Sequence, residues 1–298
     1  MIGSSTPLSS HRTTPLILFM HIPKTAGTTL GCIMVRQYGR KSVFSCHPDR
    51  NLLGCTPEDF KQLSAEERLR YNVVWGHFDF GLERDIEEPS TYITMLREPV
   101  DRAISHYYYA RKRKDHYLHK KITSEKLKVK EYIVNGISQE MDNGQTRMLV
   151  KKGGWDIPFG ELPLEFLEQA KQNLQENFAV VGTTERFDET LVLAKEIFGW
   201  TMPLYLRWNI GDTPARRANL SSNVVEAIYQ HNALDVELHR YANELMDQLI
   251  AKEVPYFKLK LVLFRTLNRL YTQFFKVSRS FPKSWREKLD RRFFQIIR

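Results

Sequence analysis

The start of the chain constrains the fold most strongly, because a buried strand leads directly into a loop of small residues and then into a helix. Residues 15–22 form a run that is apolar except for His21. This length and composition are typical of a strand that is buried on both faces of a parallel sheet. Residues 30–38 then have the pattern of a helix. A strand, a tight loop and a helix in this order predict the opening unit of an α/β domain.

The same alternation continues along the chain. Residues 71–77, 91–97 and 178–182 have the composition of further strands, and helical patterns follow over residues 100–114 and from the last strand to about residue 198. Apolar residues recur at helical spacing over residues 222–251, as one helix or a pair. The predicted fold class is α/β: a P-loop-like parallel sheet flanked by helices, with a mostly helical C-terminal part.

Three segments are predicted from composition. A polar, flexible leader covers residues 1–14, one domain covers residues 15–255, and a basic amphipathic helical tail covers residues 256–298 with a break near Phe281 and Pro282. Residues 258–298 contain twelve Lys or Arg and two acidic residues, a net charge of +10 against +9 for the whole chain. The domain itself is therefore near neutral, and no nucleic-acid partner is expected.

The basic tail has two interpretations, which the sequence leaves open. A basic amphipathic helix can lie on an anionic membrane surface, or it can pack on the domain and leave its basic face in water. The three cysteines show no paired spacing, and no stretch of about 18 apolar residues is present. We therefore expect a cytoplasmic protein, peripheral to the membrane if the tail binds lipid.

The loop after the first strand has the residue types of a phosphate site. Small residues allow the backbone to approach a ligand closely, and the amides at a helix N-terminus attract phosphate oxygens. A lysine adds a positive charge and threonines add hydroxyl donors. The candidate residues are Lys24, Thr25, Ala26, Gly27, Thr28 and Thr29. The alternative is a helix start capped by Thr, with a lysine at the surface.

The position of Lys24 does not fit a metal-dependent nucleoside triphosphatase. In that loop the lysine comes late and follows a glycine at fixed spacing, whereas Lys24 comes early. No acidic residue suited to magnesium follows the second strand. The loop therefore predicts phosphate binding without a metal, and a P-loop small-molecule kinase is the weaker alternative.

A second anion site is predicted where the strand over residues 91–97 ends. Arg97 lies at the carboxyl end of this strand, the edge at which α/β sheets bind ligands. Ser105 follows on the next helix, close enough to share an anion with the forked guanidinium group of Arg97. The alternative is that Arg97 and Arg102 pair with Glu98 and Asp101.

Together the two motifs resemble those of sulfotransferases that use 3′-phosphoadenosine 5′-phosphosulfate (PAPS). Residues 21–29 look most like the carbohydrate branch, which includes the heparan sulfate 2-O- and 6-O-sulfotransferases. The resemblance implies that residues 24–29 hold the 5′ phosphate of the donor, and that Arg97 and Ser105 hold its 3′ phosphate. A donor with phosphates at both ends needs two separate anion sites.

The resemblance also implies a catalytic base. Residues 74–80 match the Gly-His segment of the family, and His77 stands where the family has its base. An acceptor hydroxyl must lose a proton as it attacks sulfur, and imidazole titrates near neutral pH. We expect Asp79 to orient the ring. A structural role for His77 is the alternative, and His21 and His106 are weaker candidates for the base.

Two further segments follow the family pattern. Residues 142–149 resemble a segment of the 6-O-type enzymes, in which Asn143, Gln145 and Arg147 would contact a sugar or line the cleft. The alternative is a polar helix start capped by Asn143. Residues 209–217 fall where the family closes a loop over the nucleotide, so one of three residues is expected to contact the donor: Thr213, Arg216 or Arg217.

The function that the sequence favours is transfer of a sulfuryl group from PAPS to an acceptor hydroxyl, leaving adenosine 3′,5′-bisphosphate. The acceptor is expected to be a glycan, a glycolipid or another hydroxylated molecule. His77 would act as general base, Lys24 would stabilise the leaving phosphate, and no metal is expected. Besides the kinase, a non-catalytic scaffold that binds membranes or acidic polymers is the alternative.

Overall fold

A computed structural model describes residues 14–46, 55–151, 153–206 and 213–278. Its centre is a five-stranded sheet in the order β2-β3-β1-β4-β5, with every neighbouring pair parallel. The strands are β1 (Leu16–Met20), β2 (Val43–Cys46), β3 (Val73–Gly76), β4 (Ser90–Leu96) and β5 (Phe178–Thr183). The predicted parallel sheet is confirmed, and all four strands expected from the sequence are present.

The first strand lies in the middle of the sheet. All five residues of β1 are buried, and Ile17 pairs with Val73 on one side and with Thr91 on the other. A strand with neighbours on both edges and helices on both faces has no contact with water, which explains the apolar run. Strand β2 was not predicted, because four residues interrupted by Ser45 give too short a pattern.

Helices cover both faces of the sheet. In the first half they are α1 (Gly27–Tyr38), α2 (Pro57–Gln62), α3 (Ala65–Arg68), α4 (Pro99–Lys112), α5 (His119–Ser124) and α6 (Val129–Val134). In the second half they are α7 (Gly144–Met148), α8 (Leu164–Asn177), α9 (Phe187–Phe198), α10 (Thr213–Ala218), α11 (Ser222–His231), α12 (Ala233–Glu253) and α13 (Phe257–Ser278). The expected helical C-terminal part is thereby confirmed, and residues 222–251 prove to be a pair of helices.

The core is divided by the sheet into two apolar layers. Leu18 and Val74 face one layer together with α8 and α12, and Phe19 and Trp75 face the other together with α1 and α9. A third cluster surrounds Ile104 and joins α4, α6 and α11 beside the carboxyl edge of the sheet. These layers hold the strands rigidly, so the loops at that edge are well placed to form a site.

The described part of the predicted tail is the single helix α13, which packs along α9. Phe264 and Tyr271 are buried, and the Lys260 ammonium lies 2.6 Å from the Glu196 carboxylate. Within the residues that the structure describes, no helix is both long and apolar enough to cross a membrane. The leader over residues 1–13 and the break at Phe281 and Pro282 lie outside the described residues.

Candidate functional site

The loop between β1 and α1 has the backbone of a cradle for an anion. Lys24 and Ala26 adopt positive φ angles of 72° and 64°, which non-glycine residues seldom do. At Gly27 an added Cβ would stand 1.9 Å from Cδ2 of His21, so only glycine fits between the loop and this ring. The backbone is thus held tightly at the N-terminus of α1, where unpaired amides and the helix dipole favour a phosphate.

The threonines of this loop have different roles. The Thr25 hydroxyl donates to the carbonyl of Ile22 at 2.8 Å and is fully buried, so it holds the turn together and does not face a ligand. Thr28 and Thr29 are half-buried in the first turn of α1. Their hydroxyls and the loop amides are therefore the better candidates for contact with a phosphate.

The side chain of Lys24 reaches across to α4. Its Nζ lies 3.7 Å from the centroid of the Tyr109 ring, a cation–π contact. Such a contact is weak enough to be exchanged for a phosphate oxygen, because exposed cation–π pairs stabilise by only about 0.5–1 kcal/mol. The lysine is thus held near the loop in a position from which an anion can attract it.

Arg97 lies next to the loop, as the two motifs require. Its Nη1 donates to the carbonyl of Lys24 at 3.2 Å, and its buried Nε has no hydrogen-bond partner among the described residues. Burial lowers the pKa of Arg97, but an arginine remains charged at neutral pH. A buried cationic donor without a partner is costly, and an incoming anion would satisfy it.

Ser105 lies on α4, half-buried, one helical turn before Tyr108 and Tyr109. Tyr109 holds Lys24, and the Arg216 guanidinium stacks 3.9 Å from the centroid of the Tyr108 ring. Residues three and four apart share one helix face, so Ser105 is flanked by the rings that hold two cations. This placement suits a hydroxyl that donates to a second phosphate.

The predicted loop-closing segment contributes its two arginines in different ways. Arg216 stacks on Tyr108, as described above. Arg217 donates to Glu98 at 2.8 Å and to Asp101 at 3.0 Å, and so pins α10 to the start of α4. Arg217 therefore pairs with Glu98 and Asp101, the two carboxylates that the sequence offered as alternative partners for Arg97. The side chain of Thr213 lies outside the described part of the chain.

His77 follows β3 and stands at the carboxyl edge of the sheet. Its Nδ1 lies 2.6 Å from the backbone carbonyl of His21, and the two imidazole rings stack with centroids 4.4 Å apart. Since a carbonyl oxygen can only accept, Nδ1 carries the proton in the neutral ring and Nε2 carries the lone pair. This tautomer is the one that a general base needs.

Asp79 does not orient His77, contrary to the expectation. Its Oδ1 accepts from the indole Nε1 of Trp155 at 3.0 Å, and the His21 carbonyl takes the orienting role. Residues 77 and 79 have different surroundings, since His77 is half-buried and Asp79 is exposed. Although the residue is exposed as a whole, partial desolvation of the Asp79 carboxyl group raises its pKa, and the hydrogen bond from Trp155 acts in the opposite direction.

A cavity of about 490 Å³ opens beside His77. Its wall combines aromatic, apolar and acidic residues, and it includes Pro23, which directly precedes the phosphate loop. The lining residues are Pro23, His77, Phe78, Asp79, Arg102, Tyr117, Ser138, Gln139, Glu140, Gly144, Met148 and Trp155. Because the cavity is lined by His77 and by Pro23 directly before the phosphate loop, it is the candidate site for an acceptor.

The two other histidine candidates have structural surroundings. His21 is buried between the Phe19 ring and His77. His106 is buried, with Nδ1 2.6 Å from the Tyr132 hydroxyl and Nε2 2.9 Å from the Glu140 carboxylate. Neither lines the cavity. The geometry thus favours His77 over His21 and His106 as the base.

The side chains of residues 143–147 do not face the cavity. Asn143 is buried, and its Oδ1 accepts from the amides of Leu234 and Asp235, so it caps α12 rather than its own helix. Arg147 is fully buried and donates to the Asp142 carboxylate and to the carbonyls of Ile157 and Pro158. These contacts occupy the groups that were expected to reach a sugar.

Gln145 instead supports the second anion site. Its side-chain oxygen accepts from the Arg97 amide at 2.9 Å, and its Nε2 donates to the Arg97 carbonyl at 2.9 Å. The Asp235 carboxylate in turn holds the amides of Gln145 and Thr146 at 3.0 and 2.8 Å. In the segment that resembles the 6-O-type enzymes, Gln145 therefore fixes the backbone of Arg97, and the contact of this segment with a sugar stays a prediction.

Sequence reasoning missed the far wall of the cavity. Tyr117, Glu140 and Trp155 belong to segments that lack a family motif, and their shared wall depends on the packing of short helices. Tyr109 was also missed, because its contact with Lys24 joins two segments that are distant in the sequence. Among the described residues, no cluster of three or more His, Cys, Asp or Glu side chains is arranged to hold a metal ion.

Comparison with known proteins shows which family this chain resembles. A family model described as galactose-3-O-sulfotransferase matches residues 1–256. Human galactose-3-O-sulfotransferase 3 is 25% identical over 264 residues, which are 84% of this chain and 60% of the relative. The bovine protein of that name is 26% identical over 255 residues, 81% of this chain and 58% of the relative.

A second group of relatives is also similar. Human heparan-sulfate 6-O-sulfotransferase 1 is 26% identical over 274 residues, 78% of this chain and 66% of the relative. The chain thus spans about 60% of the length of the galactose-3-O-sulfotransferases that it matches. The resemblance to the carbohydrate sulfotransferases that use PAPS is confirmed, and with a match over residues 1–256 the chain belongs to the galactose-3-O-sulfotransferase family.

Proposed function

We propose that this protein transfers a sulfuryl group from PAPS to a hydroxyl of a neutral carbohydrate. The observation that carries the proposal is the hydrogen bond of 3.2 Å from Arg97 to the Lys24 carbonyl, which joins the two anion sites, with His77 beside them in a cavity. A donor with phosphates at both ends needs two cationic sites close together, whereas the phosphate chain of a nucleoside triphosphate needs one.

The residues present fit such a donor. The loop amides with Lys24, Thr28 and Thr29 would hold the 5′ phosphosulfate end, and the partnerless Nε of Arg97 with the Ser105 hydroxyl would hold the 3′ phosphate. All of these groups are hydrogen-bond donors, and two of them are cations. The donor supplies the sulfuryl group and leaves as adenosine 3′,5′-bisphosphate.

His77 acts as the general base in this mechanism. Its Nε2 accepts the proton of the acceptor hydroxyl as that oxygen forms its bond to sulfur. The positive charge on the imidazole is stabilised by the hydrogen bond from Nδ1 to the His21 carbonyl. Lys24 leaves the Tyr109 ring and neutralises the charge that develops on the departing phosphate oxygen.

The charges of the cavity favour a neutral acceptor. Asp79 and Glu140 line it, and Arg102 is the one Lys or Arg among the described lining residues. Arg102 is 1% exposed and donates to the Glu140 carbonyl, so it offers little to a ligand. A polymer that already carries sulfate and carboxylate groups would be repelled by the two acids. Trp155 and Tyr117 add aromatic surfaces against which the apolar face of a sugar ring can pack.

A transfer assay with radiolabelled donor tests the proposal. The purified chain is incubated with a neutral β-galactoside, with heparan sulfate, and without acceptor, and each reaction is repeated with a metal chelator. We expect label on the galactoside in both conditions and little on heparan sulfate. Label on heparan sulfate alone would contradict the neutral acceptor, and absence of label on both would contradict the activity.

Thermal unfolding separates the sulfotransferase from the kinase and the scaffold. A ligand that binds only the native state raises the melting temperature, because it adds its binding free energy to stability. We expect adenosine 3′,5′-bisphosphate to raise the melting temperature more than ATP with magnesium. A larger rise with ATP and magnesium would support the kinase, and no rise with either would support the scaffold.

A further inference from the structure

The outward face of α13 carries an apolar stripe. Leu259, Val262, Leu263 and Leu270, with Tyr256 just before the helix, are between 50% and 83% exposed. Residues 256, 259, 263 and 270 are three, four and seven apart, so they follow one face of the helix. Single exposed apolar residues are ordinary, but a continuous stripe of them marks an interaction surface.

A neighbouring face of α13 is fixed to the domain, so the stripe cannot simply turn inward. Phe264 and Tyr271 are buried against the layer that includes α9. The Asn268 Oδ1 accepts from the Tyr205 amide at 2.8 Å, and the Lys260 ammonium pairs with Glu196 at 2.6 Å. Turning the stripe inward would expose two buried aromatic rings and break both polar contacts.

A row of basic side chains follows one edge of the stripe. Lys258, Arg265, Arg269 and Lys276 are exposed and lie on the same side of the helix. Arg265 also pairs with Asp188 at 3.1 Å. The sequence of α13 contains no Asp or Glu. The helix therefore presents an apolar stripe and a positive edge to the outside at the same time.

We infer that this face of α13 lies on an anionic lipid membrane. Helices that bind the membrane surface combine an apolar stripe, which enters the acyl boundary, with basic side chains that meet anionic headgroups. A second copy packed on the same face would bring two positive rows together. Residues 279–298 contain seven Lys or Arg and two acidic residues, so they too would be repelled by this edge.

Flotation of the full chain with lipid vesicles tests the inference. The protein is mixed with vesicles of phosphatidylcholine alone or of phosphatidylcholine with phosphatidylserine, at low and at high salt. We expect it to float with the vesicles that contain phosphatidylserine and to be released by salt, because salt screens the headgroup attraction. Equal flotation with both kinds of vesicle, or none with either, would overturn the inference.

Two α13 variants locate the surface. Leu259→Ser with Leu263→Ser removes apolar area, and Lys258→Glu with Arg269→Glu reverses two exposed charges. Each is expected to lower binding to the phosphatidylserine vesicles at least about tenfold. The matched controls, Leu164→Ser at an exposed leucine of α8 and Lys252→Glu at an exposed lysine of α12, should bind like the unaltered chain.

The remaining outcomes are also decisive. If the α13 variants float like their controls, another part of the chain binds lipid and the assignment to α13 is wrong. If sedimentation shows a dimer that the leucine variant dissociates, the stripe is an interface between copies. The charge variant alters only exposed side chains, so it keeps the test valid if the leucine variant has a lower melting temperature.

Discussion

The Nη1 of Arg97 donates a hydrogen bond of 3.2 Å to the backbone carbonyl of Lys24. The two residues are 73 positions apart, and each belongs to a motif with an anion-binding pattern of its own. Strands β1 and β4 are neighbours in the sheet, so the loops that follow them meet at its carboxyl edge. One adjacency in the sheet thus assembles both halves of the candidate donor site.

The charge and fork of Arg97 are testable through product binding. Arg97→Lys keeps the positive charge but removes the guanidinium group with its paired N–H donors. It should therefore weaken the binding of adenosine 3′,5′-bisphosphate by about ten- to a hundredfold. Isothermal titration calorimetry measures the Kd. The control is Arg84→Lys, at an exposed arginine outside the site. Equal Kd values for Arg97→Lys and the control would remove Arg97 from the donor site.

Lys24 is expected to act on turnover rather than on folding. In the proposed mechanism Lys24→Ala removes the cation that stabilises the leaving phosphate. Loss of one such donor raises the barrier by about 2.7–4 kcal/mol, at least a hundredfold in kcat. Its side chain contacts the Tyr109 ring at the protein surface, so the melting temperature should change little. Steady-state kinetics with Lys195→Ala, on α9, as control checks this. A kcat within threefold of the control would exclude a role of Lys24 in stabilising the leaving phosphate, because the activation free energy would then change by at most about 0.7 kcal/mol.

His77 should affect proton transfer and leave donor binding intact. His77→Ala is expected to lower kcat at least about a hundredfold, because a positioned base contributes that much or more. Its Kd for adenosine 3′,5′-bisphosphate should stay near that of the unaltered chain, because the ring lies in the acceptor cavity. His119→Asn, on α5, is the matched control. Unchanged turnover in His77→Ala would assign the proton to another group.

The sequence predicted the parts of this protein that depend on neighbouring residues in the chain. Three local patterns are present in the structure as predicted. They are the apolar run of β1, the loop of small residues after it, and Arg97 at the end of β4. Parallel strands need helical connections, which repeat the pattern along the chain. The order of strands and helices could therefore be predicted from local patterns and from the rule that helices connect parallel strands.

The roles that were wrong or missed depend on contacts between distant segments. Asp79 was expected to orient His77 because it is two residues away, but the folded chain gives it Trp155 as its partner. Asn143 was considered as a cap of its own helix, and it caps α12, whose amides lie 91 and 92 positions along the chain. Polar side chains are satisfied by whichever group packing brings near, and spacing in the sequence does not encode this.

Gln145 is predicted to position Arg97 without touching the ligand. Gln145→Glu keeps the oxygen that accepts from the Arg97 amide, but it sets a carboxylate oxygen against the Arg97 carbonyl. We expect the KM for the donor to rise about tenfold, while kcat at saturating donor and the KM for the acceptor stay within about twofold.

The control for Gln145 separates positioning from general destabilisation. Thr146→Ser keeps the hydroxyl that donates to Asp235 at 2.8 Å in the same segment, so it should leave all three kinetic constants unchanged. Equal increases of both KM values in Gln145→Glu would indicate a structural role for the segment, and no increase would show that the Arg97 backbone needs no support.

Glu140 gives the acceptor cavity a dependence on pH that stability measurements can detect. Burial by itself raises the pKa of the Glu140 carboxyl, but the charge of His106 and the hydrogen bonds from His106 and Tyr117 hold the pKa well below its usual value of 4.5. Below 4.5 the unfolded chain therefore binds a proton that the folded chain does not. The free energy of unfolding then falls as the pH is lowered from 4.5 toward the pKa of the folded state.

Glu140→Gln removes this titration and should flatten that part of the curve. Urea unfolding between pH 6 and about pH 3 measures the free energy for both chains. The difference in stability between them should shrink as the pH falls, since the unaltered chain alone loses the contribution of the carboxylate. Glu58→Gln, at an exposed carboxylate of α2, is the control and should leave the slope unchanged. Parallel curves for the unaltered chain and Glu140→Gln would show that the carboxyl titrates alike in the folded and unfolded states.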